Sequence, residues 1–258
     1  MCSRDIRAPI ILVFGEAEFV ISALKNQGVQ VVPQKRNYDI AVPVAYHPDM
    51  QFFFFPDGHA VTLLGNEIPD AFREMLCPIL FTGKRPDRQY PGDVLCNAFY
   101  HAGAIYARLD SLDESILAYA REKKLALISV RQGYAACSVC TVNDEAVITA
   151  DSGLAEACRR RGTDVLEIAA GQIKLPGYAY GFIGGCSGRI DDQTIAFTGS
   201  LDSHTDGIRI RNFIRRHHMD VLELSKGPLV DIGGMIDIRP VFKTFHGHND
   251  LQTQLLIE

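Results

Sequence analysis

A pattern recurring about every 45 residues constrains this chain more than any other feature, because periods of that size belong to propellers and solenoids. Its clearest copy runs from Pro176 to Gly199, where two apolar and aromatic stretches, Tyr180 to Ile183 and Thr194 to Thr198, flank a turn at Asp191-Asp192. One hairpin of that size does not fold alone. Counting from Asp49, the equivalent position returns at Asp93, Ala135, Ile183 and Ile232, and GTDVLEI at 162–168 parallels HMDVLEL at 218–224, as FIGG at 182–185 parallels DIGG at 231–234.

Five units follow, each a hairpin, a helix and a returning strand. Hairpins are expected at Ile40 to Leu64 with a turn at Asp57-Gly58, within Tyr90 to Asp110, and at Gln132 to Asp151 with a turn at Asn143-Asp144. Helices are expected at Glu16 to Asn26, Pro69 to Leu76, Asp113 to Lys123, Gly153 to Arg161 with Ser152 as its cap, and Asp206 to His217. The fifth unit lacks a clear returning strand, and Ile10 to Gly15 matches the missing piece. The expected fold is therefore one α/β domain over 1–258, a five-bladed α/β propeller with units at 38–83, 84–130, 131–168, 169–224, and 225–258 plus 1–37. The N-terminal strand closes the last blade, and closure hides the strand edges that an open array exposes.

At 258 residues and 47% hydrophobic content the chain is long enough for a generous core. A formal charge of -5 argues against a nucleic-acid binder, since phosphate backbones are held by clustered Lys and Arg. The short basic runs Arg159-Arg160-Arg161 and Arg215-Arg216 fall at helix ends, where cations favour the carbonyl terminus. No apolar run approaches the ~20 residues of a membrane span, and Met1 to Arg7 is polar with no cleavage signal after Pro9 to Gly15. The expectation is a cytoplasmic protein that does not engage a membrane, with its seven cysteines reduced.

Gly181 to Gly199, GFIGGCSGRIDDQTIAFTG, followed by SHTDGIRIRNFI at 203–214, resembles the F-E-G-G-D strand, hairpin and following helix of the pentein superfamily. That resemblance implies a five-bladed α/β propeller with a ligand site at the centre of the ring. The guanidine-modifying penteins are arginine and agmatine deiminases, amidinotransferases and dimethylarginine hydrolases; a further branch is non-catalytic and binds the ribosome. The chain departs from the enzymes at their working residues. Ile183 and Cys186 stand where two carboxylates grip a guanidinium, DIGGMID at 231–237 lacks the general acid/base histidine, and no cysteine follows Cys186.

Pseudo-symmetry allows those functions to occupy equivalent positions in other blades. Asp49, Asp93 and Asp231 are candidates to bind a small cation, since a planar guanidinium needs carboxylate acceptors; the plain alternative is turn hydrogen bonding beside Pro48, Gly92 and Val230. Cys137 is the candidate nucleophile, with Arg131 near in sequence to lower its thiol pKa, and Cys186 is the second choice; either is otherwise a small core hydrophobe. Asn97 and His101 share a hairpin with Asp93 and would complete an acid/base set. Tyr134, Tyr178 and Tyr180 flank glycines and would wall the site. Cys137-Ser138-Val139-Cys140 lacks a second pair for zinc, and His246 and His248 lie in the tail. No metal or other cofactor is expected. Two functions follow: an enzyme cleaving a guanidino or amidino C–N bond through a cysteine thiolate, as a hydrolase or transferase, or a non-catalytic pentein binding a small cation or a macromolecular partner.

Overall fold

The computed structural model describes residues 9–74 and 77–238. The chain starts with β1 (Ile10–Phe14), α1 (Glu18–Asn26) and β2 (Gln30–Gln34), and continues through a short helix α2 (Pro48–Gln51), β3 (Phe52–Phe54), β4 (Ala60–Thr62), α3 (Asp70–Glu74) and β5 (Ile79–Phe81). Next come β6 (Phe99–His101), β7 (Ala104–Ala107), α4 (Glu114–Glu122) and β8 (Ala126–Ser129), then β9 (Val139–Thr141), β10 (Ala146–Thr149), α5 (Ser152–Arg159) and β11 (Asp164–Glu167). The last group is β12 (Ser187–Arg189), β13 (Thr194–Phe197), α6 (Gly207–Arg216), β14 (Asp220–Glu223) and β15 (Ile236–Asp237).

These strands make five three-stranded sheets of one design, in which a central strand pairs antiparallel with its hairpin partner and parallel with the strand after the helix. The central strands β4, β7, β10 and β13 are buried on both faces, so they read as unbroken apolar runs. The fifth sheet joins the two ends of the described chain: β1 is its central strand, Ile11 opposite Asp237 and Leu12 opposite Ile236, with β2 parallel on its other side. Ile10–Phe14 thus occupies the place that the fifth unit leaves vacant.

Each long helix buries one stripe against its sheet. In α6 that stripe is Ile210, Phe213 and Ile214, each contributing about 1.5–3 kcal/mol by burial, while Arg215 and Arg216 occupy the last turn. Asp151, not Ser152, caps α5, its carboxylate accepting from the Leu154 N–H at 2.8 Å. Asp151→Ala is expected to lose about 1 kcal/mol in urea denaturation, whereas Ser152→Ala stays near zero.

Several local expectations shift. Ile40 to Ala45 is not a strand but runs into a 3₁₀ turn at Val42–Val44, because Pro43 pre-sets a turn. Tyr180 to Ile183 is loop rather than strand, and β12 begins only at Ser187, where the chain reaches its ladder with Phe197. His246 and His248 lie outside the described residues. Among the described residues no helix is long and apolar enough to cross a membrane, and no group of three His, Cys, Asp or Glu side chains is arranged to hold a metal ion.

Candidate functional site

The segments leading into four of the sheets meet at one buried cluster. His47 and Asp49 come from the start of α2, Asn97 from the turn before β6, Cys137 from the turn before β9, and Asp231 from the segment between β14 and β15. Backbone hydrogen bonds lock these segments together: Asp49 N–H donates to the Gly233 carbonyl, Gly185 N–H to the Cys137 carbonyl, and the Ile232 and Gly234 N–H groups both donate to the Gly185 carbonyl. Gly233 adopts φ +76, and a side chain there would drive into His47.

Asp231 is held as an acceptor, taking the Phe182 N–H at 2.8 Å and the Gly233 N–H at 3.0 Å. His47 Nδ1 faces Asp231 Oδ1 at 3.7 Å and Asp49 Oδ1 at 4.0 Å, and its Nε2 has no hydrogen-bond partner among the described residues. Asn97 ties the cluster together: its amide nitrogen donates to the Asp49 carbonyl and to Cys137 Sγ, both at 3.1 Å, while its oxygen accepts from the Ala136 N–H at 2.8 Å.

Burial governs the protonation of this cluster. It raises Asp49 to about 7, with the charge of Asp231 adding to the effect, and raises Asp231 to about 6 against the pull of its two N–H donors. His47 is pushed down to about 3 by burial. The Cys137 thiol, 4% exposed, is raised well above the usual thiol range, first by burial and then by Asp49 and Asp231. Arg131 does not offset this: it is exposed at the end of β8, so the neighbours that set the thiol are acids rather than the expected cation.

Against the cluster lies a pocket of about 210 Å³ whose walls include His47, Cys137 and Asp231 together with Tyr134, Tyr178 and Tyr180. Tyr180 is 43% exposed and meets Phe182 edge-on, at the mouth. Asp93 is buried but faces Tyr134, whose hydroxyl donates to it at 2.8 Å; it stands behind the wall. His101 is buried at the tip of the β6–β7 hairpin, opposite Ala104, and does not line this pocket. Cys186 packs in the apolar core with Cys140, its thiol donating to the Ile183 carbonyl at 3.3 Å. The structure therefore gathers Asp49, Asp231, Asn97 and Cys137, puts Tyr180 at the rim, and leaves Asp93, His101, Arg131 and Cys186 elsewhere. His47 escaped the sequence reading, although its place two residues before Asp49 in HPD was the available signal.

A family model described as "Family of unknown function (DUF6873)" matches residues 15–236. No curated protein matches the chain. Among solved structures, DDAH from Pseudomonas aeruginosa, a cysteine-to-serine variant complexed with citrulline, is similar at a TM-score of 0.50 with 8% identity, over 85% of this chain and 93% of that one. An amidinotransferase from Microseira wollei in the saxitoxin biosynthetic pathway matches at 0.50 with 11% identity, over 90% and 94%. A cysteine-to-serine variant of C. jejuni agmatine deiminase with substrate bound matches at 0.51 with 9% identity, over 90% and 93%. All three are pentein-superfamily proteins, and the likeness is one of fold.

Proposed function

This chain belongs to DUF6873, a family of unknown function, and from the chemistry of its site we propose that it acts on a guanidino or amidino C–N bond through Cys137. In this reading the five sheets are the blades of a single closed propeller, the cluster lies on its axis, and the protein works in the cytoplasm on a small cationic substrate. The observation that carries it is the convergence of a thiol, an imidazole and a carboxyl in the wall of one pocket, with the second carboxyl, Asp49, behind them, from segments far apart in sequence.

Each group has a task. A guanidinium entering the pocket meets Asp231, which lines it and is already oriented by two N–H donors, with Asp49 adding charge from behind. The arriving cation reverses the local electrostatics: it favours carboxylate and thiolate over their neutral forms, so the thiol is activated only when substrate is present. Cys137 Sγ then attacks the guanidino carbon, forming a C–S bond, and its proton passes to His47. Collapse of the adduct breaks a C–N bond, and the departing amine takes that proton. Water attacks the remaining S-bound amidino carbon, gives its proton to His47, and the C–S bond breaks to release product and return the thiol. With an amine in place of water the same steps transfer the amidino group. Asn97 positions Cys137 through its hydrogen bond to Sγ.

The second reading is a binding pentein without catalysis, which the raised thiol pKa of the empty pocket favours. One experiment separates them. Incubation with 2-chloroacetamidine followed by peptide mass spectrometry is expected to place one adduct on Cys137, suppressed by a guanidine competitor and lost in Cys137→Ser. If no cysteine is selectively modified, the protein is a binder.

A further inference from the structure

The pocket at Cys137 offers more than a seat for a guanidinium. Its lining includes Val44, Met50, Leu175 and Phe182 beside the three tyrosine rings, and among the described residues no Lys or Arg lines it. Four rings form one continuous wall. Tyr90 lies 5.4 Å from Tyr134, Tyr134 6.2 Å from Phe182, and Phe182 6.0 Å from Tyr180, centroid to centroid. The outer members Tyr90 and Tyr180 are exposed, as is Tyr178, and aromatic surface grouped at the mouth of a pocket marks a place where a ligand covers it.

This wall is held in position. The Tyr178 N–H donates to the Leu175 carbonyl at 3.0 Å and the Gly181 N–H to the Ile173 carbonyl at 2.7 Å. Gly177, at φ +93, packs so closely on Pro43 that a methyl group there would lie 2.5 Å from its Cγ. The volume of about 210 Å³ exceeds the ~150 Å³ in which an apolar cavity takes up benzene. At the polar end, His47 is 1% exposed and its Nε2 lacks a partner among the described residues, so a buried acceptor waits for a ligand N–H. The charge along the wall is acidic. Asp231 lines the pocket, Asp93 holds the Tyr134 hydroxyl, and Arg108, which reaches Tyr90, is paired with Asp110 at 2.9 Å. A carboxylate on the ligand would be desolvated among rings and opposed by two acids. Resting on the reading of this pocket as a guanidine site, we propose that its substrate is a monosubstituted guanidine or amidine whose substituent is uncharged, apolar and of phenyl size, and that guanidino acids are excluded. The cationic head meets Asp231 and His47, and the substituent lies along the rings.

The test is an NMR titration of the ¹⁵N-labelled full chain with phenylguanidine, its neutral isostere phenylurea, guanidinium chloride and L-arginine at matched ionic strength. Phenylguanidine is expected to give saturable shifts at the Tyr178 and Ala179 amides and to bind about tenfold or more tighter than guanidinium, through burial of its ring. L-Arginine is expected to bind no tighter than guanidinium, and phenylurea about tenfold or more weaker than phenylguanidine for want of the charge. Tyr180→Ala, a change at the exposed rim, is expected to weaken phenylguanidine about threefold or more and to leave guanidinium within about twofold. If L-arginine equals phenylguanidine, or Tyr180→Ala weakens both cations alike, this proposal falls and the guanidine site stands. If phenylurea binds as tightly as phenylguanidine, or none of the four gives saturable shifts, the guanidine site falls and this proposal with it.

Discussion

Gly185→Ala is expected to lose at least about 3 kcal/mol of stability and the chemistry of the site together. A methyl group on Gly185 would lie 1.9 Å from Asp231 Oδ1 and 2.3 Å from its carboxyl carbon. Relief by moving Asp231 is blocked, because that carboxylate is anchored by the N–H groups of Phe182 and Gly233. Relief by moving the backbone is blocked as well, since the Gly185 N–H and carbonyl bond to Cys137, Ile232 and Gly234. The strain is therefore shared by the loops that carry Cys137 and Asp231. Urea denaturation measures the loss, and Gly83→Ala, where an added methyl has nothing within 4 Å, supplies the control, with a change within about 0.5 kcal/mol. A Gly185→Ala protein as stable as the parent would show that these segments are not packed as described.

The second large effect is on the pH dependence of stability. Asp49 binds its proton more tightly folded than unfolded, its pKa rising from 3.8 to about 7. Between those values the native state holds more protons than the unfolded chain, so this group makes stability fall as pH rises, and the full penalty stands above about 7. Asp49→Asn removes it. The variant is expected to match the parent near pH 4 and to exceed it at pH 8 by about 2–4 kcal/mol. His47, lowered to about 3, acts with the opposite sign, adding stability as pH rises to its unfolded value of 6.5, and this contribution is common to both proteins. Denaturation of the two chains at pH 4 and pH 8 checks the result. A difference that does not grow with pH would mean that Asp49 is ionised and stabilised in the folded protein, and would remove it from the cluster.

The two effects bear on function from different sides. Gly185 shows how little room the site has, and Asp49 shows that the empty cluster is short of positive charge. A protein that keeps two acids and a thiol buried side by side tolerates a cost that a bound cation relieves, which the chemistry proposed at Cys137 uses.

Much of the local structure was legible because its signals are short-range. Ile10–Phe14 was recognisable as a strand, and as the missing member of the fifth unit, from its apolar run and its likeness to Thr194–Phe197. Turns at Asp57-Gly58, Asn143-Asp144 and Asp191-Asp192 follow from the residue types themselves. The resemblance of Gly181 to Ile214 to the penteins pointed, through one hairpin and helix, to the fold that the chain shares with solved pentein structures. By contrast, Tyr180 to Ile183 has the composition of a strand and is loop, because Asp231 takes the Phe182 N–H that a ladder would have used.

What the sequence determined by itself, then, is the order and spacing of elements and the candidates Asp49, Asp231, Asn97 and Cys137, since hydrophobic period, turn chemistry and residue type are properties of neighbouring residues. Only the tertiary structure decided which candidates meet. Sequence spacing puts Asp93 and Asp49 in corresponding places, yet one faces the Tyr134 hydroxyl and the other Cys137; Arg131 is six residues from Cys137 and exposed, while His47 is ninety residues away and lines the same pocket. The physical reason is that proximity in the cluster is set by how the segments between strands of different sheets are joined, and that joining is fixed by long-range contacts such as β1 with β15 and Gly185 with Ile232 and Gly234, which no window along the chain contains.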